Sequence, residues 1–152
     1  MRIQLSSVTM PVLCYADTAW GELSVECKSR LQRLQNRAAR TIVRRDSTSE
    51  ALKSLGWPNL ETIRKRNKSI LVYKCLNYLV PQYLCDYFSR NHSFHSCNTR
   101  RREDIHPSRP KLSLGKRTFR HSGAILPETY KRAASLEVFK SFKRLLMKHD
   151  FA

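Results

Sequence analysis

A mostly α-helical fold is predicted for this chain, a small helical bundle carrying a long basic loop, and three observations predict it. Apolar residues recur at three- and four-residue steps through residues 23–45 and again near the end of the chain, the period of a helix rather than a strand. Glycine is scarce, four in 152 residues, too few for a turn-dense β sandwich or a glycine-rich phosphate loop. Capping residues and prolines fall where the periodic stretches begin and end.

The elements follow in order. Residues 1–22 read as a linker remaining from an upstream domain. Met10-Pro11-Val12-Leu13-Cys14-Tyr15 is a short apolar run with no partner segment before it, closing at Trp20-Gly21. Residues 23–90 are expected to form the helical core. In the helix from about Leu23 to Arg45, Leu31, Leu34, Ala38 and Ile42 lie within about 80° of one another at 100° per residue. Arg30, Arg33, Arg37, Arg40 and Arg44 recur at the same steps, centred about 125° away. One apolar stripe and one arginine stripe result.

Asp46 to Ser49 supplies N-cap residues for a short helix ending at Leu55, and Gly56 stands where a left-handed C-cap belongs. Pro58 opens the next helix, from about Asn59 to Leu79, stopped by Pro81. Its first half holds Arg64, Lys65, Arg66 and Lys68, while Ile70 to Val80 is apolar nearly all round and is predicted as the centre of the core. Gln82 to Ser89 adds a short helix. The basic loop of residues 91–116 contains Arg100, Arg101 and Arg102, and leaves room for a short β hairpin near residues 104–126, with strands at Asp104–Ile105 and Thr118–Leu126. Residues 117–152 form a C-terminal helical segment. Within it Ser135 caps a helix to about Lys148, whose Val138, Phe139, Phe142, Leu145 and Leu146 share one face.

Charge narrows the function. Twenty-nine lysines and arginines face twelve acids, a net charge of +17, and residues 91–152 hold 14 bases against five acids. Such an excess repels itself unless an anion neutralises it, and nucleic acid is the commonest anionic partner of this kind. Between Glu26 and Asp46 there is no acid at all, so the arginine stripe is not the mixed-sign face of an ordinary exposed helix. Guanidinium groups in a row match successive phosphates. The expected contact residues are therefore Arg30, Arg33, Arg37, Arg40 and Arg44, helped by Arg64, Lys65, Arg66 and Lys68 and by Arg100, Arg101 and Arg102. The expected partner is RNA or DNA bound without sequence preference. A membrane and a small-molecule substrate are not expected, since no stretch approaches the roughly 18 apolar residues of a span. Met1 to Ala16 also lacks the pattern of a signal peptide. Five cysteines without a CxxC pair point to a reducing, intracellular setting, nuclear or cytoplasmic.

No catalytic residue, metal site or cofactor is predicted. Tyr15-Ala16-Asp17-Thr18 differs from the Tyr-x-Asp-Asp box of polymerases in its last position, and one carboxylate cannot assemble a two-metal site. Cys85, His92 and Cys97, with His95 or Cys75 as a fourth ligand, have a knuckle-like spacing, but the close cysteine pair that usually opens a zinc site is missing. His106, His121 and His149 have no patterned nucleophile beside them.

Several short motifs, in order, carry a resemblance. Leu31-Gln32-Arg33-Leu34-Gln35-Asn36-Arg37-Ala38-Ala39-Arg40 resembles the Leu-Gln-x-Leu-Gln-Asn-Arg-Ala-Ala-Arg segment that follows the polymerase domain in animal non-LTR (LINE-like) retrotransposon reverse transcriptases. Tyr15 with Trp20-Gly21, Leu52 to Arg64, Tyr73 to Leu84, Arg117 to Ala124, and Leu136 with Phe139-Lys140 resemble other steps of the same pattern, over about residues 11–148. Gly123-Ala124-Ile125-Leu126 runs straight into Pro127, without the Trp-Asn found there in the family. The resemblance implies a post-polymerase segment with no catalytic role for Asp17, and a polymerase domain as a second partner. The alternatives are an interaction or scaffold piece that depends on the missing polymerase domain, or a translated remnant without function.

Overall fold

The structure is a computed structural model that describes residues 2–20, 22–44, 46–94, 96, 99–102 and 104–125. The expected helix from Ser135 to Lys148, and His149, lie outside the described residues. The chain divides into two compact units, Met1–Lys65 and Arg66–Ala152.

In the first unit, α1 (Arg2–Cys14) is followed by a short α2 (Asp17–Trp20), α3 (Val25–Val43) and α4 (Thr48–Leu55), with the start of α5 (Leu60–Leu76) completing it. The stretch read as a linker is thus a 13-residue helix with Pro11 inside it, and it packs against α3. The proline interrupted the apolar pattern without ending the helix. Ser24 caps α3, its hydroxyl accepting from the Cys27 amide. Arg44 ends α3 in the left-handed conformation, its amide donating to the Arg40 carbonyl.

The face of α3 that is buried differs from the predicted one. Gln35, Ala39 and Ile42 are 0–4% exposed, whereas Leu34 is 55% exposed. On the helical wheel the buried line is rotated about 60° from the apolar stripe. The reason is polar. Gln35 Nε2 donates to the Pro58 carbonyl (2.9 Å), and Gln32 Oε1 accepts from the Leu60 amide (3.1 Å). Gln32 Nε2 ties the two amides together by donating to Gln35 Oε1 (2.7 Å), and donates also to Asn36 Oδ1 (2.9 Å). Buried backbone groups of the turn between α4 and α5 therefore find partners on α3, which outweighs the transfer of one leucine from water.

That turn is fixed at both sides. α4 closes in a Schellman motif, in which the Trp57 amide donates to Leu52 and that of Gly56 to Lys53, with Gly56 at φ 62°. Asn59 then caps α5, its side chain accepting from the Glu61 amide. The far end of α5 uses the same device without a glycine. Leu79 donates to Lys74 and Tyr78 to Cys75 across Tyr78 at φ 55°, and Asn77 Nδ2 takes the Tyr73 carbonyl. This stops the helix at Leu76, three residues before the expected end.

The second unit is organised around Val72, Cys75, Phe88, Ile105 and Ala124, with Leu71, Leu76, Val80, Leu84 and Phe119 packed against them. The predicted core centre, Ile70 to Val80, supplies half of this cluster. Phe88 and Phe119 meet edge to face at 5.3 Å. α6 (Gln82–Cys85) leads to a pairing of residues 89–92 with residues 102–106, through an antiparallel bridge between Arg90 and Ile105. Of the two expected strand sites, Ile105 thus takes part in a bridge. Of the second site, the described residues 118–125 do not extend: Phe119–Ala124 form α8, after a single turn α7 (Ser113–Lys116). Phe119, Gly123 and Ala124 face the core at helical spacing, and a Cβ on Gly123 would lie 2.9 Å from the Phe88 ring and 3.0 Å from Val72.

Candidate nucleic-acid interface

The arginines of α3 stand opposite its buried line. Relative to Gln35, Ala39 and Ile42 they are centred about 170° away, further than the apolar stripe had suggested. Arg30, Arg33, Arg37, Arg40 and Arg44 are all exposed, and from first to last they span about 21 Å of helix. Arg30 is engaged by Glu26 one turn earlier, at 2.7 Å. Both side chains of that pair are about two-thirds exposed, so an anion can displace the carboxylate at little cost. Among the described residues no carboxylate lies within ion-pair reach of Arg33, Arg37, Arg40 or Arg44. Arg40 and Arg44 also sit where the helix dipole is negative, which stabilises their charge locally.

The basic half of α5 departs from expectation. Arg64 and Lys68, expected to reach phosphate, are buried at 6% and 5% exposure. Leu60, Arg64, Lys68 and Val72 follow one another at four-residue steps, so the ridge that carries Leu60 and Val72 inward carries both cations with it. Lys68 Nζ donates to Ser122 Oγ of α8 at 3.1 Å. Lys65 is exposed and bound to Glu61 one turn earlier (2.8 Å), which holds the Glu61 carboxyl below its usual range. Arg66 is half-buried. Of these four, Lys65 and Arg66 remain on the accessible surface.

Arg100, Arg101 and Arg102 are exposed at the turn that joins the two paired segments of the loop. They belong to the second unit and the α3 row to the first. The turn is held from within. Asn91 Nδ2 donates to the Arg101 carbonyl (2.8 Å), Asn91 Oδ1 faces His106 Nδ1 (3.1 Å), and the His92 amide donates to the Arg102 carbonyl. Beside it lies a cavity of about 440 Å³ lined by Asn91, His92, Thr99, Arg102, His106, Pro107 and Arg109. In the sequence His106 has no patterned partner and Arg109 stands in no motif, since no spacing rule joins residues that only the pairing around Arg90 and Ile105 brings together.

The zinc reading draws no support from the described part of its ligand set. Cys85 is buried with its thiol donating to the Val80 carbonyl, His92 is exposed, and His95 and Cys97 lie outside the described residues. No cluster of three His, Cys, Asp or Glu side chains is gathered among the described residues. Cys75, also buried, has its thiol pushed up to about 11 by burial and by the neighbouring Cys85. Asp17, in α2, is 4% exposed. No described helix is long and apolar enough to cross a membrane.

Comparison with known proteins finds no match. Neither a family profile, a curated protein nor a solved structure aligns significantly with the chain.

Proposed function

We propose that this chain is a non-catalytic, nucleic-acid-binding segment of a reverse-transcriptase-like protein, holding RNA or DNA phosphates along the arginine row of α3. The observation that carries the reading is the pairing state of that row. Arg33, Arg37, Arg40 and Arg44 are exposed in line, opposite the buried face, with no acid within reach among the described residues. Successive side chains rise by about 4.5–6 Å along the helix, a step that lets a flexible strand place successive phosphates against successive guanidinium groups. Lys65, Arg66 and Arg100 to Arg102 add to the field without belonging to the row. Because the contacts are to phosphate, binding is non-specific, and each one contributes roughly −0.7 to −0.9 to the slope of log affinity against log salt. The experiment is a titration of single-stranded RNA and duplex DNA at several salt concentrations. Affinity no greater than that of a scrambled peptide of equal charge contradicts the proposal.

A second reading, a protein-interaction piece that pairs with a polymerase domain, draws on α1. Val8 and Val12 are 62% and 67% exposed on one face, followed by Tyr15 at 78%. Its mark is concentration-dependent self-association that Val8→Ser with Val12→Ser removes, read by light scattering.

A further inference from the structure

The cavity beside the Arg100–Arg102 turn has the chemistry of a ligand site, and it belongs to the second unit, whereas the α3 row belongs to the first. Its volume, about 440 Å³, lies in the range of small-ligand pockets and is several times what an inorganic anion fills. Among the described residues that line it, all but Pro107 carry polar or charged side chains, and none of these is acidic. Arg102 and Arg109 bring two permanent positive charges, and Thr99 a hydroxyl. The histidine geometry is decided by the backbone. Since Asn91 Nδ2 is committed to the Arg101 carbonyl, Asn91 Oδ1 must be the atom facing His106, and His106 Nδ1 therefore donates to it. This tautomer leaves Nε2 as the His106 ring nitrogen for a ligand. Phe94, 56% exposed, lies against the His106 ring with centroids 4.4 Å apart, an aromatic surface next to the cavity wall.

Building on the phosphate-binding reading above, we propose that this cavity seats one nucleotide of a bound strand, its phosphate taken by Arg102 and Arg109 and its base resting near the Phe94–His106 pair. Two permanently charged guanidinium groups, with no acid among the described lining residues, favour a phosphate. The remaining volume and the aromatic surface select the nucleoside attached to it. The loop thereby positions one unit of the strand, whereas the α3 row tracks the backbone without regard to register.

The test uses the full chain and three probes: adenosine 5′-monophosphate, inorganic phosphate and adenosine. NMR titration follows the His106 ring and Thr99 amide signals. The monophosphate is expected to shift both saturably and more tightly than either of the other probes. Arg109→Ala or Arg102→Ala should weaken it by about tenfold or more, the effect of removing one charge-assisted contact. Lys111→Ala, which removes an equal charge from an exposed residue outside the cavity lining, should leave it unchanged. The proposal is overturned if the monophosphate gives no saturable shift, if inorganic phosphate binds as tightly, or if Lys111→Ala weakens binding as much as Arg109→Ala. Failure here with salt-dependent RNA binding intact removes the cavity alone. Saturable nucleotide binding with no RNA binding removes the α3 reading instead.

Discussion

Gln35 Nε2 donates to the Pro58 carbonyl at 2.9 Å from a fully buried position, joining α3 to the turn that launches α5. Its Oε1 accepts from Gln32, whose own oxygen takes the Leu60 amide, so two adjacent backbone groups of that turn are paired by two side chains. Removing either glutamine leaves a buried backbone group without its partner. Gln35→Ala should destabilise the chain by about 2–3 kcal/mol and Gln32→Ala by about 1–2 kcal/mol. Because each acts through the other, the double variant should cost less than the sum. Urea denaturation of the four proteins gives all the terms, and strict additivity would show that the amides work separately.

The left-handed ends of α4 and α5 make opposite predictions. At Gly56, φ 62°, a Cβ would meet nothing within 4 Å, so Gly56→Ala tests backbone conformation alone and should cost about 1 kcal/mol. At Tyr78, φ 55° and 74% exposed, the penalty is already present, and Tyr78→Gly should raise stability by a similar amount, about 1 kcal/mol. Thermal unfolding should move the midpoint down in the first variant and up in the second.

Gly123 tests space rather than dihedral angle. The Cβ of Gly123→Ala would press into Phe88 and Val72, both packed in the core, and overpacking of this kind costs about 1–3 kcal/mol. Reducing the neighbour, as in Val72→Ala with Gly123→Ala, should return part of the loss. A neutral Gly123→Ala would contradict the close packing of α8.

The cysteines differ by burial. Cys27 is exposed, while Cys75 and Cys85 are buried. With its thiol raised from 9.0 to about 11, Cys75 stays protonated in the folded chain at a pH where the unfolded chain ionises. Its contribution to stability is therefore complete below about pH 9 and is lost progressively as pH rises towards 11. A thiol reagent at pH 8 should modify Cys27 rapidly and Cys75 only after unfolding. Equal rates would mean that the core cluster is open.

What could be read in the sequence was what apolar spacing and turn chemistry encode. The ends of α4 followed from Leu55-Gly56, and the core of the second unit from Ile70 to Val80. The rotation of α3 could not be read, since periodicity weighs Leu34 over Gln35 and cannot see that the turn at Pro58 and Leu60 needs two amide side chains. α1 was hidden by Pro11, and α8 by a glycine whose function is close packing against Phe88. Arg64 and Lys68 were placed on the surface because cations usually are, whereas their four-residue spacing with Leu60 and Val72 was the signal that turns them inward. The row from Arg33 to Arg44 was legible because acids are missing around it as well as because arginines recur.

The arginine row itself is tested most directly by its salt slope. The variant carrying Arg33→Gln, Arg37→Gln, Arg40→Gln and Arg44→Gln alters only exposed side chains and should fold as the parent does. If the four side chains each meet a phosphate, the log–log salt slope of RNA binding should fall by about 3 units. A second variant, with four exposed cations outside the row changed to Gln (Lys53, Lys111, Lys116 and Arg120), matches the charge loss and should keep most of the slope. Equal losses in the two variants would mean that net charge alone attracts the strand, and the row would have no special role.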